Sequence, residues 1–386
     1  MSLINQRQGF RRTFSKGAFS GFDPILTIAV GLLLFIGTLL IYSATRDWYA
    51  RNGFDPQYYL KRHVINILIG CILAWGTTII DYRALRAYTP VVWGLGVIGL
   101  TAVLIPGIGS EVNGAQAWIP LPGGFQIQPA ELAKISIIVG MSMLLSEYRH
   151  EGSEPSHRDV MQSLLVAAIP VGLILLQPDM GTVFIISFAV VAIIGASGAP
   201  SRWVVGLLLA AILGGFGAIQ LGVINEYQVK RLQSFVDPNS DTQGSGYQLK
   251  QARIAVGSGG LLGTGLFEGP QTNGRFVPEQ QTDFIFTVAG EELGFIGSGF
   301  ILFLYLVIFM RAFTIARRST DAFGRLVCVG VLTWFAFQTF ENIGMTLGLM
   351  PMTGVPLPFL SYGGSSMFAN LIGFGLLQNI YAKSRA

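Results

Sequence analysis

Long runs of apolar residues, separated by short polar segments, follow one another along almost the whole chain. A helix needs roughly 17 to 25 mostly apolar residues to cross the hydrocarbon of a bilayer. Windows of this kind lie near residues 25–44, 64–80, 89–106, 131–147, 161–176, 180–198, 202–223, 283–311, 325–349 and 363–382. The pattern therefore predicts an all-α polytopic membrane protein with about ten transmembrane helices.

The composition agrees with a membrane protein. Of the 386 residues, 51% are hydrophobic and only 12% are charged, which lies outside the usual range of soluble globular domains. Lys and Arg concentrate in the short segments that are cytoplasmic when the N-terminus is inside, so both termini are predicted to be cytoplasmic. The net charge of +4 reflects this bias, and no nucleic-acid partner is predicted.

A single membrane domain, residues 1–386, is the simplest partition. Residues 1–23 are predicted to form a cytoplasmic tail, since their basic stretch is not followed by a small-residue cleavage site. Two long connections, residues 107–130 and the long extracytoplasmic loop 224–282, are predicted on the outer face, where long loops are usually functional or disordered. The glycine-rich segment Gly257–Gly265 is either a backbone nest for pyrophosphate oxygens or a flexible re-entrant turn.

Asp283 is the first candidate for chemistry, because it stands at the rim of an apolar span. An Asp near the centre of a membrane helix costs about 2.5 to 3.5 kcal/mol, so a retained acid usually faces a cavity, a partner or a substrate. The structural alternative is an acid at a helix N-terminus, with Thr282 as the N-cap. Glu291 and Glu292 follow in the same predicted helix, and at least one of these three acids must face protein or water.

Other polar residues at predicted helix starts have two interpretations. Glu131 and Lys134 lie three residues apart on one helix face, so they form either an ion pair near the helix dipole or an ammonium site for a phosphate. Asp179 follows Pro178 at another helix start, where helix capping and substrate binding are equally compatible with its position.

Several segments, taken together, resemble the SEDS family of polytopic glycosyltransferases, which includes RodA, FtsW and SpoVE. They extend from the third predicted span to the last, in the order found in the family. The matching segments include Trp118–Ile119, Gln128–Glu131, Gln177–Thr182, Arg231–Leu232, Gly246–Gln248, Ile254–Gly260, Thr282–Phe286, Glu291–Phe295, Asn342–Met345 and Pro356–Ser366.

The resemblance implies a peptidoglycan glycosyltransferase that polymerises lipid II at the outer face of a bacterial plasma membrane. Its substrates would be lipid II and an undecaprenyl-pyrophosphate-linked glycan, held beside membrane lipid. It also implies a class B penicillin-binding protein as the transpeptidase partner. Thr282, rather than Asn, before Asp283 is more similar to RodA than to FtsW, which favours a role in cell elongation and cell shape.

The chemistry of this reaction assigns roles to the candidate residues. An α-linked donor that gives a β linkage requires one inverting displacement, hence one base, and Asp283 is predicted to be that base. The pyrophosphate leaving group needs cations, or a divalent metal such as Mg²⁺ or Mn²⁺, more than a proton donor. The resemblance implies substrate contacts for Glu131, Lys134, Trp118, Asp179, Arg231, Arg253, Arg275, Ser361 and Ser365.

Three positions depart from the family pattern: Gln281 replaces a common His, Ala117 a frequent Arg, and Thr264 a frequent Lys. The last two changes remove cations, so phosphate binding would depend on Lys134 and on the arginines of the long loop.

Three alternatives remain open at this level. A lipid II flippase or another transporter would place its site near the bilayer midplane, whereas the candidates here crowd the outer helix ends. A non-catalytic scaffold for wall enzymes would need the acids to be structural. An FtsW-like division polymerase would use the same chemistry.

Overall fold

The computed structural model describes residues 21–112, 115–146, 154–220, 226–237, 241 and 244–385. Within them, a helix occupies every one of the windows predicted to span a membrane. These long helices are α1 (Pro24–Arg51), α2 (Tyr58–Ile79), α3 (Tyr82–Leu104), α4 (Pro129–Ser146), α5 (His157–Leu175), α6 (Met180–Ala196), α7 (Ser201–Gln220), α11 (Ile285–Arg318), α12 (Ala322–Leu347) and α13 (Gly364–Lys383). The prediction of an all-α polytopic membrane bundle is confirmed.

Seven of the described helices are long and apolar enough to cross a bilayer, while α6 and α7 contain shorter apolar helices. The centre of the bundle is formed by α4, α12 and α13, whose residues are mostly buried. Helix α4 is buried on nearly all sides, as expected for a helix that is surrounded by others. Helix α7 is mostly exposed, and such apolar exposure is expected of a surface that faces lipid.

A proline stands at or near the start of three of the long helices. Pro24 and Pro129 are the first residues of α1 and α4, where a missing backbone N–H is tolerated. Helix α6 instead begins at Met180, with Asp179 as its N-cap. Pro178 therefore lies outside this helix. The Asp179 carboxylate accepts the backbone N–H of Thr182 in the first turn.

One end of the bundle is fastened by Asp23, which is fully buried. Its carboxylate accepts an N–H from Leu26 at 3.1 Å and another from Arg311 Nε at 2.9 Å. Its own backbone N–H donates to Gln378 Oε1 at 2.7 Å. These bonds join α1, α11 and α13 at the end opposite to Asp283.

The connection predicted as a long loop at 107–130 contains a small β-meander. Its antiparallel strands are β1 (Ser110–Val112), β2 (Ala115–Leu121) and β3 (Phe125–Ile127). Arg62 on α2 donates to the carbonyls of Gly123 and Gly124 at 2.7 and 2.8 Å. The meander is thereby held against the helix bundle.

The long connection 224–282 contains three helices within its described residues: α8 (Glu226–Val236), α9 (Ser245–Ser258) and α10 (Pro270–Gly274). Helix α9 packs mainly on α11 and α12. Its buried residues include Leu249, Ala252 and Ala255. The described part of this connection is thus a helical cover over one end of the bundle, because small and apolar side chains of α9 are buried there.

Helix α11 is broken at Gly294, whose φ of 65° and ψ of −165° are not helical. The break frees backbone groups inside an apolar span, and each must find a partner there. The carbonyls of Glu291 and Glu292 accept N–H groups from Thr264 and Gly265. In return, the N–H groups of Phe295 and Ile296 donate to carbonyls of residues 260 and 261.

The glycine-rich segment therefore lies backbone to backbone against this break. A Cβ on Gly263 would lie 2.1 Å from the carbonyl oxygen of Glu292, so a side chain does not fit. The predicted open nest for pyrophosphate is wrong for Thr264 and Gly265, since their N–H groups already donate to α11. The alternative of a re-entrant turn fits the structure, and the turn is rigidly paired.

Gly294→Ala is expected to destabilise the protein by about 1 to 3 kcal/mol, the usual cost of holding a residue in a conformation that only glycine adopts freely. A Cβ there would also lie 2.2 Å from the backbone nitrogen of Gly263. Thermal unfolding of the purified protein in detergent measures the effect. Gly299→Ala is the matched control on α11, because open space surrounds that position; equal stability of the two variants would contradict the interpretation.

Candidate functional site

Asp283 lies in a turn just before α11, two residues ahead of the first helical residue. Its backbone N–H donates to the carbonyl of Glu279 at 3.1 Å, and its side chain is half-buried. The N-cap position is taken by Phe284, and the Thr282 hydroxyl instead donates to Glu279. The expectation that Thr282 caps a helix starting at Asp283 is therefore wrong, because the turn at 279–284 delays the helix.

The carboxylate of Asp283 and the guanidinium of Arg231 both lie beside Gly354, on the side where a side chain would project. A Cβ built on Gly354 would lie 3.2 Å from Oδ2 of Asp283 and 3.7 Å from Nη1 of Arg231. Gly354 has a φ of +73°, a conformation that glycine adopts without strain. We call Asp283, Glu279, Arg231 and Gly354 the Asp283 site.

Burial and, to a lesser extent, the neighbouring Glu279 carboxylate raise the pKa of Asp283 to about 7, although the Arg231 guanidinium acts in the opposite direction. Asp179 contributes a smaller upward shift. Asp283 stands outside the spanning helices. A carboxyl group with a pKa near neutrality is well suited to accept a proton at physiological pH.

The segment that carries Gly354, residues 351–358, lies over α12 and is held there by two amide side chains. Gln338 Nε2 donates to the carbonyl of Pro356, and Asn342 Nδ2 donates to that of Val355, each at 2.7 Å. Asn342 Nδ2 also donates to the backbone carbonyl of Asp283 at 2.7 Å. Helix α12 thus fixes both the Asp283 turn and the segment that faces it; we call residues 351–358 the outer loop.

Arg231 reaches the site from α8. Its Nη1 is 3.5 Å from the carbonyl oxygen of Met352 in the outer loop. Gln228, one turn earlier, donates to the carbonyl of Pro178 at 3.0 Å and so joins α8 to the start of α6. Of the predicted cations, Arg231 is the one that the structure brings to Asp283.

Asp179 is occupied as the N-cap of α6. Its carboxylate accepts the backbone N–H and the hydroxyl of Thr182 at 3.0 and 2.8 Å, and Gln128 Nε2 at 3.0 Å. The helix-capping alternative is therefore present in the structure. Asp179 nonetheless lies near enough to influence the charge of Asp283.

Glu131 and Lys134 form a buried ion pair on α4, with 2.9 Å between Lys134 Nζ and Glu131 Oε2. Lys134 also donates to Gln338 Oε1 at 3.1 Å and lies 4.8 Å from the ring centre of Trp334. Only 1% of Lys134 and 3% of Glu131 is exposed. This geometry favours the ion-pair alternative, and contact of either residue with a substrate stays a prediction.

Three further candidates for substrate contact form hydrogen bonds with other residues of the protein. Ser361 Oγ accepts the N–H of Leu357 at 2.8 Å, and Ser365 Oγ accepts that of Gln128 at 2.8 Å. Trp118 is half-buried in β2, and its carbonyl accepts the hydroxyl of Ser110 at 3.2 Å. Their contacts hold the meander and the outer loop in place, and their role towards a substrate is untested.

Arg253 and Arg275 make their described contacts elsewhere. Arg253 on α9 is exposed and donates to the carbonyl of Gly348 at 3.1 Å. The guanidinium of Arg275 lies 4.3 Å from the ring centre of Trp48, a cation–π contact. Within the part of the chain that the structure describes, neither arginine is bonded to Asp283.

The acids that follow Asp283 have structural partners. Glu291 accepts the N–H groups of Gln271 and Thr272 at 2.7 and 2.8 Å, and Glu292 accepts the hydroxyl of Ser43. Both are buried in protein. The expectation that at least one of the three acids faces protein or water is confirmed, but Glu291 binds the connection 224–282 and Glu292 binds Ser43 on α1, and neither carboxylate belongs to the Asp283 site.

Sequence reasoning did not select Gly354, Gln338 or Glu341. An acid within an apolar span is a recognisable signal, and Glu341 carries it. Gly354 and Gln338 carry no such signal, because their importance comes from the residues that fold against them.

The described residues contain no group of three or more His, Cys, Asp or Glu side chains that could hold a metal ion. Mg²⁺ is commonly held by one or two carboxylates together with substrate phosphates. A need for Mg²⁺ or Mn²⁺ stays a prediction, and Arg231 is the positive group that the structure places at the site.

Comparison with known proteins gives consistent matches over nearly the whole chain. A family model described as cell cycle protein, for FtsW, RodA and SpoVE, matches residues 24–386. The chain is 37% identical over 361 residues to a probable peptidoglycan glycosyltransferase FtsW of Trichlorobacter lovleyi, covering 94% of this chain and 93% of that protein.

Two solved structures are also similar. A chain from a study of how a peptidoglycan synthase complex coordinates polymerization and crosslinking matches with a TM-score of 0.79 and 30% identity, covering 95% of this chain and 99% of that one. The rod shape determining protein RodA of Thermus thermophilus matches with a TM-score of 0.69 and 28% identity, again covering 95% and 99%.

Proposed function

The chain belongs to the family of FtsW, RodA and SpoVE cell cycle proteins, and we propose that it is a peptidoglycan glycosyltransferase that polymerises lipid II at the outer face of the bacterial plasma membrane. The related FtsW carries the name of that activity. The observation that supports the proposal most directly is the meeting of the Asp283 carboxylate and the Arg231 guanidinium at Gly354. One group can take a proton and the other can stabilise a leaving anion.

The reaction then proceeds as a single displacement. The oxygen of the acceptor sugar hydroxyl attacks the anomeric carbon of the donor, and Asp283 takes the proton of that hydroxyl. The bond between that carbon and the pyrophosphate oxygen breaks, and the configuration is inverted. Arg231 stabilises the negative charge that collects on the departing polyprenyl pyrophosphate.

Purified protein incubated with fluorescent lipid II tests this function. Glycan strands longer than the substrate support the polymerase. Movement of lipid II across a vesicle membrane without strand formation would instead support the transporter alternative. The position of the Asp283 site beyond the helix end, rather than between helix repeats at mid-depth, supports the polymerase.

The rate of polymerisation is expected to rise with pH through a midpoint near 7. Asp283 acts as a base only when deprotonated, and its pKa is about 7, so the rate falls about tenfold for each pH unit below the midpoint. Initial rates at subsaturating lipid II, measured between pH 5 and 9, give the profile.

Two variants should move this midpoint in opposite directions. Glu279→Gln removes a like charge and lowers the midpoint, whereas Arg231→Gln removes a cation and raises it. A profile that neither variant moves would contradict Asp283 as the titrating group.

We further propose that the protein serves elongation and works with a class B penicillin-binding protein. Thr282 before Asp283 and the structural similarity to RodA support elongation, while the FtsW relative supports division. The similarity to a chain of a peptidoglycan synthase complex supports a transpeptidase partner. Depletion in the bacterium that carries this protein distinguishes the two roles, since loss of elongation rounds the cells and loss of division makes filaments.

An orientation with both termini cytoplasmic completes the proposal. Asp283, the outer loop and the β-meander are then on the outer face, where the polymer is needed. The positive-inside distribution of Lys and Arg supports this orientation. Fusions of a periplasmic reporter enzyme to residues 113 and 384 test it, because the first fusion should be active and the second inactive.

A further inference from the structure

Glu341 on α12 is a fully buried acid with no assigned role. It is 0% exposed, and within the described residues neither of its carboxyl oxygens has a hydrogen bond of good geometry, although the Thr353 hydroxyl lies close enough to interact with the carboxyl group. Leaving a buried polar group unsatisfied costs about 1 to 3 kcal/mol. A native group that keeps such a cost usually has a functional reason or an additional partner in another state.

The surroundings of Glu341 contain charges that are already engaged. Thr353 of the outer loop, Asp179 and Lys134 are the groups that act on its carboxyl. Lys134 is paired with Glu131 and bonded to Gln338, and Asp179 caps α6. No described cation is therefore committed to Glu341, and an ionised carboxylate without a partner is very costly in such a place.

A carboxylic acid that keeps its proton is a hydrogen-bond donor as well as an acceptor. Thr353 is the polar side chain of the outer loop that faces it. The described contact of the Thr353 hydroxyl is a long one, 4.0 Å from Met345 Sδ. Glu341 and Thr353 thus have complementary groups and no strong bond to any other partner.

The position of Glu341 on α12 connects it with the Asp283 site. Gln338 and Asn342 on the same helix hold the carbonyls of Pro356 and Val355. Glu341 lies one turn from Gln338 and beneath Thr353, so it would hold the part of the outer loop that these amides do not reach. Gly354, the next residue, lies against both Asp283 and Arg231.

We propose that Glu341 is a positioning residue for glycosyl transfer: a neutral carboxylic acid that binds the Thr353 hydroxyl in the working enzyme and so fixes Gly354 against Asp283 and Arg231. This inference rests on the proposed function and adds to it a residue that does not touch the substrate. It accounts for an acid kept in an apolar span without a cation.

Two substitutions of Glu341 separate this role from a structural one. Glu341→Gln keeps a neutral donor and acceptor of the same shape, and it is expected to retain most of the polymerisation rate. Glu341→Met fills the space without hydrogen bonding, and it is expected to lower kcat by about 10- to 100-fold, the scale of a small misplacement at a reaction centre. Thermal unfolding should show Glu341→Met to be as stable as the wild type, because an unsatisfied polar group has been removed.

Two further measurements test whether Glu341 affects the reaction through Asp283. The pH midpoint of Glu341→Met should move upward, since a loosened Gly354 weakens the effect of Arg231 on Asp283, while that of Glu341→Gln should not move. In the Asp283→Asn background, Glu341→Met should cause no additional loss, because both changes act on one step.

Each contrary result has a distinct meaning. Normal kcat and pH midpoint in a stable Glu341→Met variant would overturn the positioning role alone. Glu341→Gln as inactive as Glu341→Met would overturn the neutral acid and show that a charge is required. No polymer from the wild type would overturn the proposed function and this inference together.

Discussion

Asp283→Asn is expected to lower the polymerisation rate by about 10²- to 10⁴-fold, the contribution usually made by a positioned general base. Asparagine keeps the size of the side chain but cannot accept the proton of the acceptor hydroxyl. The turn itself should survive, because its described anchors use only the backbone of Asp283: its N–H donates to the Glu279 carbonyl, and its carbonyl accepts the side-chain amide of Asn342. Glycan strand formation from fluorescent lipid II measures the polymerisation rate, and thermal unfolding measures the stability of the variant.

Asp55→Asn is the matched control. Asp55 is an exposed acid in the connection between α1 and α2, where it pairs with Lys61, and exposed ion pairs contribute little to stability. Its rate should remain close to that of the wild type. A near-normal rate for Asp283→Asn in the same assay would show that another group acts as the base, even in a true polymerase.

Lys134→Met is expected to destabilise the protein by about 3 to 5 kcal/mol, because it leaves the buried Glu131 carboxylate without its cation. Replacing both partners is far less harmful than replacing one. The double variant Glu131→Gln, Lys134→Met should therefore recover most of the lost stability. Thermal unfolding in detergent gives the comparison between the single and the double variant.

The double variant also separates the two interpretations of this pair. The ammonium of Lys134 already has Glu131, Gln338 and the Trp334 ring as neighbours, so the recovered protein is expected to polymerise lipid II. A stable double variant without activity would instead show that the pair contacts the substrate. Equal stability of the single and double variants would contradict the ion pair as a structural element.

The spans and the first catalytic candidate were accessible from sequence because both are local signals. Segments that cross lipid must be apolar because polar groups are unfavourable there, and each apolar window contains a helix. Asp283 was recognisable as an acid at the edge of such a window. Its position ahead of the helix was not, since the turn depends on bonds between Glu279 and residues 282–284.

Features that depend on distant contacts were missed or misinterpreted. Gly354 gains its meaning only when the outer loop folds against Asp283 and Arg231, which are far apart in the chain. The acids Glu291 and Glu292 were grouped with Asp283 by sequence, but their hydrogen bonds lead to Gln271, Thr272 and Ser43. The predicted long loop proved to be a helical cover, because the small and apolar residues of α9 lie buried in the fold.

The interruption of α11 at Gly294 has a consequence for how the chain matures during its synthesis. The backbone groups exposed by the interruption are satisfied by residues 260–265, which leave the ribosome before α11 does. The glycine-rich segment has thus already been synthesised when the second half of that helix enters the bilayer. Because these bonds need groups from both parts, we expect the segment to dock only when both halves of α11 are in place.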